Sequence, residues 1–218
     1  MREDGIRRCV MLGAGGHASV LADTIRAVPI VSLVCVLDAD PGKWGGSFCG
    51  VPVRGSDDEL PGIVREGVRY FVVGVGAAEK NGPRRLVYER AEGLGLKALS
   101  LVHPTAVCSP SAVLGEGVQV MPLAVVNAGC VLGKNVIVNT GAIVEHDCVI
   151  ADHVHIAPRV VLGGGVRVGE DALLGMGASV MPGVTIGRRS IVGAGAVVVV
   201  DVAEAKVVAG VPARVVSQ

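Results

Sequence analysis

VMPLAV VNAGCV LGKNVI, residues Val120 to Ile137, divides into three six-residue units, each opening on an aliphatic side chain. Outward from this stretch the period holds in both directions. Sixteen hexads run without insertion or loss from Val102 to Val197, each opening on Val, Leu, Ile or Cys. Four places later comes a small or β-branched residue, from Ala106, Ala112 and Val118 through to Ala196. A period of six is neither helical nor the alternation of a single strand. It predicts a parallel β-helix with one short strand per hexad. Three hexads make a coil, so positions 18 residues apart should stack, one coil about 4.8 Å above another.

Composition agrees. Hydrophobic residues are 50% of the 218, aromatics only 2%, and there are 32 glycines. A narrow prism packed with Val, Ile, Leu and Ala has little room for rings, and glycine supplies its tight corners. Twenty basic and twenty acidic residues cancel, so nothing suggests a nucleic-acid partner. The six cysteines show no CxxC pair or zinc-finger spacing. Cys108, Cys130 and Cys148 fall on inward positions and read as small buried hydrophobes. No signal peptide and no transmembrane helix is read, and a reducing cytoplasmic compartment is expected.

Residues 1–101 lack the period. Short apolar strands are expected at Arg8–Leu12, Ser32–Leu37, Tyr70–Val75 and Lys97–Val102. Helices are expected at His17–Ala27, from a capping box at Ser56–Glu59 to about Arg65, and over Glu79–Glu92. Strands alternating with helices argue a small parallel, Rossmann-like α/β sheet. The first strand-to-helix turn carries Gly13, Gly15 and Ala18, a GxGxxA pattern. Such a turn lets phosphates approach a helix N-terminus. Asp38, 20 residues beyond Ala18, ends the second strand where a carboxylate meets a ribose hydroxyl. The bland alternative is a sharp structural turn with a loop carboxylate. A unit of about 100 residues lacks the second half that cradles a dinucleotide, so a nucleotide or nucleotide-sugar is expected rather than NAD.

Within the repeat, Glu145-His146-Asp147 breaks the small-residue habit of the corners. His146 is the third residue of its hexad, and 18 residues on is Gly164. A glycine over a histidine leaves an open shelf with a free backbone N–H. There a neutral imidazole can take a proton, oriented by the adjacent carboxylate. Surface corners also carry His and acids merely for solubility. Cys148 as an acyl-accepting nucleophile is disfavoured by its inward position. A zinc site of His146, His153 and His155, as in the γ-class carbonic anhydrases, is the rival reading. The spacings of seven, two and nine contain no HxxxxH pair.

GAGGHA at 13–18, LVHPTA at 101–106, VEHDCVI at 144–150, HVHIAP at 153–158 and AGVPAR at 209–214 together carry a resemblance covering essentially the whole chain. It resembles the bacterial sugar acetyltransferases that join an N-terminal Rossmann-like unit to a left-handed β-helix. These are the sialic acid O-acetyltransferases and the N-acetyltransferases of UDP-bacillosamine and GDP-perosamine pathways. The resemblance supplies the left hand, since general crossover rules predict the opposite. It implies three segments: 1–101 for the nucleotide-sugar, 102–200 for acetyl transfer, and 201–218 near CoA.

It also implies roles. His146 matches the general base and Asp147 its acidic neighbour. His155 matches a contact to acetyl-CoA. Gly164, Met176 and Ala194 align along the pantetheine arm, and Arg214 lies near the nucleotide end of CoA. In the front domain, Gly15, Gly16, His17, Asp38 and Gly76 match nucleotide-sugar contacts. Ala39 stands where some UDP-sugar relatives have a second Asp. A homotrimer with sites between subunits, no metal and direct acetyl transfer to a 4-amino sugar are expected, with O-acetylation as the alternative. The regular repeat leaves no bulging loop, so acceptor choice should fall largely to the front domain of an adjacent subunit.

Overall fold

The computed structural model describes residues 5–76 and 82–217. The chain forms two compact units, one running to Gly76 and again over Gly82–Leu99, the other from Ser100 onward.

The front unit is built on a six-stranded sheet. Its elements are β1 (Arg7–Leu12), α1 (Gly16–Arg26), β2 (Val31–Leu37), β3 (Ser47–Phe48), β4 (Val51–Gly55), α2 (Leu60–Arg65), β5 (Tyr70–Val73), α3 (Gly82–Gly93) and β6 (Lys97–Ala98). The sheet order is β3-β4-β2-β1-β5-β6, parallel except for the β3–β4 hairpin. Cys9, Val10, Met11 and Leu12 of β1 have no exposed surface, as expected of a central strand covered on both faces. Val10, Leu12, Leu37, Phe71 and Val73 pack with Leu60 and Ile63 of α2 and Tyr88 and Ala91 of α3. On the other side, Ala18 of α1 comes up to Met11 across Gly74.

Four local expectations change. Ser56 caps not an α-turn but a 3₁₀ turn over Asp57–Glu59, its Oγ accepting from Asp58 N–H at 3.2 Å. Pro61 explains this. It has no N–H to return to Asp57, so Leu60 N–H closes the turn on the Asp57 carbonyl instead. The strand expected to Val75 stops at Val73, where Gly74 N–H turns to the Leu12 carbonyl at 2.7 Å. The helix expected from Glu79 is seen from Gly82; positions 79–81 lie outside the described residues. The strand expected over Lys97–Val102 is two. Leu99 N–H bonds to Phe71 in the sheet, while Leu101 N–H bonds to Val118 in the coil, so the partner changes between them. The β3–β4 hairpin has no counterpart in the sequence reading.

The second unit is a three-faced prism of two-residue parallel rungs. Every rung from Leu101–Val102 to Val197–Val198 pairs with residues 18 further along, as in Gln119↔Ile137, Ile143↔Val161 and Val149↔Arg167. First and fifth hexad positions fill the interior: Val120, Ala124, Val126, Cys130, Val144, Cys148 and their equivalents form one core. From Gly117 to Gly195 every sixth residue turns a corner with φ between +55° and +75°. This left-handed geometry costs a non-glycine residue about 1–2 kcal/mol. Glycine is common there for that reason, and Asp147 (φ 60°) and His153 (φ 61°) are exceptions. Past Val198 the coil shortens by two residues, with Ile191 paired to Val207 and Ile186 to Val202. Arg214–Ser217 then folds back antiparallel on Val207–Ala209 and closes the end.

Candidate active site

His146 lies at the corner between rungs Ile143–Val144 and Val149–Ile150. Its backbone is held from above, its carbonyl accepting from Gly165 N–H at 2.8 Å. The imidazole Nδ1 lies 2.9 Å from Asp147 Oδ2. A carboxylate only accepts, so the neutral ring carries its proton on Nδ1 and keeps its lone pair on Nε2. The hydrogen bond to Asp147 raises the His146 pKa above the ordinary histidine value. Slight desolvation opposes this, and the charges of Asp147 and Glu145 add to it.

The ring rests directly on the next coil. A Cβ at Gly164 would lie 2.5 Å from Nε2 and 2.6 Å from Cε1. The shelf expected over His146 is therefore occupied by the imidazole itself, and glycine at 164 is a steric requirement. Below, a Cβ at Gly129 would lie 2.5 Å from Asp147 Oδ1, so small residues bracket the pair on both sides. Glu145 completes the corner. Its Oε2 accepts from Asn127 Nδ2 at 3.0 Å, one coil down. Asn127 was not singled out from the sequence, although subtracting 18 from 145 finds it.

The other histidines have separate surroundings. His155 is 5% exposed, with Nε2 3.1 Å from Asn139 Nδ2. His153 is also buried, with Nδ1 3.0 Å from Asn135 Nδ2. Among the described residues no group of three His, Cys, Asp or Glu side chains is placed to hold a metal. Cys148 is buried, its Sγ donating to the Gly163 carbonyl at 3.3 Å, and burial pushes its thiol up to about 11. It stays a neutral thiol at physiological pH, which suits packing rather than nucleophilic attack.

Met176 and Ala194 stack at a second corner, where Gly195 N–H donates to the Met176 carbonyl at 2.8 Å and the Met176 side chain is exposed. Arg214, with Val198, Val200, Val208 and Ala213, lines a surface cavity of about 360 Å³ at the end of the coil.

In the front unit, Gly13 sits at φ +103°, and a Cβ there would meet Val75 Cγ2 at 2.8 Å. Gly15 and Gly16 open α1 with free space where side chains would be. Gly76 packs against His17, whose Cβ would lie 3.2 Å from a Cβ at 76. Asp38 faces this loop. Its carboxylate accepts from Ala14 N–H at 2.6 Å, Asp40 N–H at 2.9 Å and Lys43 Nζ at 3.1 Å. Burial alone would raise its pKa, but these donors together hold it below the ordinary aspartate value. Lys43, which the sequence reading did not name, also donates to the Ala14 carbonyl at 3.1 Å.

Two family models match. The PglD N-terminal domain covers residues 8–91, and the bacterial transferase hexapeptide repeat covers 111–145, 129–164 and 165–199. The perosamine N-acetyltransferase of Caulobacter crescentus, solved with CoA and GDP-perosamine, is 42% identical. The match spans 96% of this chain and 97% of that one, with a TM-score of 0.90. The acetyltransferase domain of PglB from Neisseria gonorrhoeae, solved with acetyl coenzyme A, is 40% identical over 97% and 100% of the two chains, with a TM-score of 0.88.

The chain belongs to the sugar N-acetyltransferases that join a PglD-type domain to a hexapeptide-repeat β-helix.

The coil of this family is the left-handed parallel β-helix. UDP-N-acetylbacillosamine N-acetyltransferase of Bacillus subtilis is 38% identical over 120 residues; the match spans 53% of this chain and about half, 52%, of that enzyme. Among the described residues no helix is long and apolar enough to cross a membrane.

Proposed function

We propose that this protein transfers acetyl from acetyl-CoA to the amino group of a UDP- or GDP-linked 4-amino-deoxy sugar. The observation that carries this reading is the His146–Asp147 pair, 2.9 Å apart and seated against Gly164. The neutral amine attacks the thioester carbonyl. As the C–N bond forms, the amine proton passes to His146 Nε2, and Asp147 stabilises the resulting imidazolium. The Gly164 N–H lies on the same corner and is the candidate donor to the oxyanion. The C–S bond then breaks, and the CoA thiolate recovers the proton from His146. No covalent enzyme intermediate is required.

The front unit binds the nucleotide through the Gly15–Gly16 helix start, His17, Asp38 and Gly76. The Met176–Ala194 corner, His155 and Arg214 serve acetyl-CoA. Two neighbouring copies bring the two corner columns to one ligand, hence a homotrimer. Free thiols at all six cysteines fit a reducing cytoplasm.

The test is thiol release from acetyl-CoA with UDP- and GDP-linked 4-amino sugars, with sialic acid as hydroxyl control. Acceptor-dependent release with either amino sugar is expected. Turnover with sialic acid alone would replace N- by O-acetylation. Full activity in a folded His146→Ala variant would remove His146 from the mechanism.

A further inference from the structure

Trp44 is the chain's one tryptophan. The other bulky rings described in the front-unit core, Phe71 and Tyr88, pack edge-to-face there with 5.3 Å between centroids. Trp44 does not join them. It follows the 3₁₀ turn Pro41–Lys43, its Nε1–H donates to the Asp38 carbonyl at 2.8 Å, and 44% of the residue stays exposed. Its one polar atom is satisfied locally, so the ring is oriented without being buried. An exposed, oriented indole gains little for the fold but offers a flat apolar face to a ligand.

Its neighbours say which ligand. Asp38 holds Ala14 of the glycine loop through its carboxylate and Trp44 through its carbonyl. Lys43, adjacent in sequence to Trp44, bonds to both Asp38 and the Ala14 carbonyl. One network thus joins the phosphate-type helix start, an acidic edge and an aromatic face. All three lie beyond the carboxyl ends of β1 and β2, where parallel sheets bind their ligands. A carboxylate has about four acceptor positions; three are taken here, leaving room for a ribose hydroxyl.

We propose that Trp44 is the stacking platform for the nucleobase of the acceptor. This rests on the nucleotide-sugar reading above. The diphosphate lies at Gly15–Gly16, the ribose at Asp38 and the base on the indole. Stacking on an aromatic face tolerates any base, so this contact supplies affinity for uridine and guanosine nucleotides alike.

Because Trp44 is the single tryptophan, its fluorescence reports the site directly. GDP and UDP should quench it, and inorganic pyrophosphate, which has the phosphates without a base, should not. Trp44→Ala should raise the KM for the nucleotide-sugar, and the Kd for GDP by calorimetry, roughly 5- to 150-fold, with kcat within about two-fold. Trp44→Phe should restore most of the affinity. Absence of quenching by either nucleotide, equal quenching by pyrophosphate, or an unchanged Kd in Trp44→Ala overturns the proposal. Nucleotide binding needs no turnover, so a protein that binds GDP through Trp44 but acetylates no amino sugar would refute the proposed reaction and not this site.

Discussion

In the coil, His146 meets Gly164 because they are 18 residues apart, and every rung along that face repeats the same step. In the front unit, Asp38 meets Ala14 through one contact 24 residues apart, which nothing else in the chain repeats. The first arrangement is translational, so its geometry follows from counting. The second depends on which loop a strand end faces, and each contact has to be found separately. A change at one coil corner should therefore act on chemistry while its neighbours hold the fold. A change in the front unit should act on acceptor binding.

The largest effect should come from the coil. His146→Ala removes the general base, and kcat should fall about 10²–10⁴-fold, with circular dichroism unchanged. Retained turnover would break the assignment. Gly164→Ala comes next. Its methyl would lie 2.5 Å from Nε2, so the ring must leave its place and kcat should drop about 100-fold. The neighbouring corner residue is the control. Gly165 has φ +68° but nothing within 4 Å of a Cβ. Gly165→Ala should cost about 1 kcal/mol of stability, read by thermal melting, and leave kcat nearly unchanged. Equal loss of activity in both variants would mean that backbone strain, not the imidazole contact, governs the corner.

Asp147→Asn should be milder, since Asn accepts a left-handed backbone as readily as Asp. The sign of its pH effect is fixed. Asp147 raises the His146 pKa, and only the neutral ring can act as base, so wild-type activity falls as pH drops through that raised value. Without the carboxylate, the acid limb of kcat/KM should move to lower pH while kcat falls about ten-fold. By linkage, the stability this pair contributes is fully present below the ordinary histidine pKa and is lost as pH rises through the raised one. An unmoved acid limb would assign that limb to another group.

In the front unit, Asp38→Ala strands the Ala14 N–H, worth about 1–3 kcal/mol. The KM for the nucleotide-sugar should rise about ten-fold, with kcat at saturation preserved. A kcat defect instead would undo the division of labour between the two units. The smallest effect is expected at Cys148→Ala. The thiol is buried with its pKa pushed up by burial to about 11, so activity should stay within about two-fold. A large loss would bring back a covalent route.

Much of this was legible before any coordinates. The hexads gave the prism, the 18-residue step and the stacking of His146 with Gly164 and of Met176 with Ala194. The left-handed corners were not read, because φ leaves only a statistical trace in composition. That trace is the glycine at 129, 141, 165 and 177, on the same fourth position as Asp147. Asn139 beside His155 was also missed: the two are 16 residues apart, off the stacking rule. In the front unit the GxGxxA turn and Asp38 were visible, whereas the β3–β4 hairpin and the roles of Lys43 and Trp44 were not. Short strands and single loop contacts have no period to betray them.

A repeat with fixed rise converts position along the chain directly into position in space, so the linear sequence sufficed for the coil, its interior and the pairing of its corners. The orientation of the imidazole, its tautomer and its hard contact with Gly164 depend on distances of a few tenths of an ångström. Such distances, like the exposure of the one indole, are set by packing among residues distant in sequence, and packing has no one-dimensional signature.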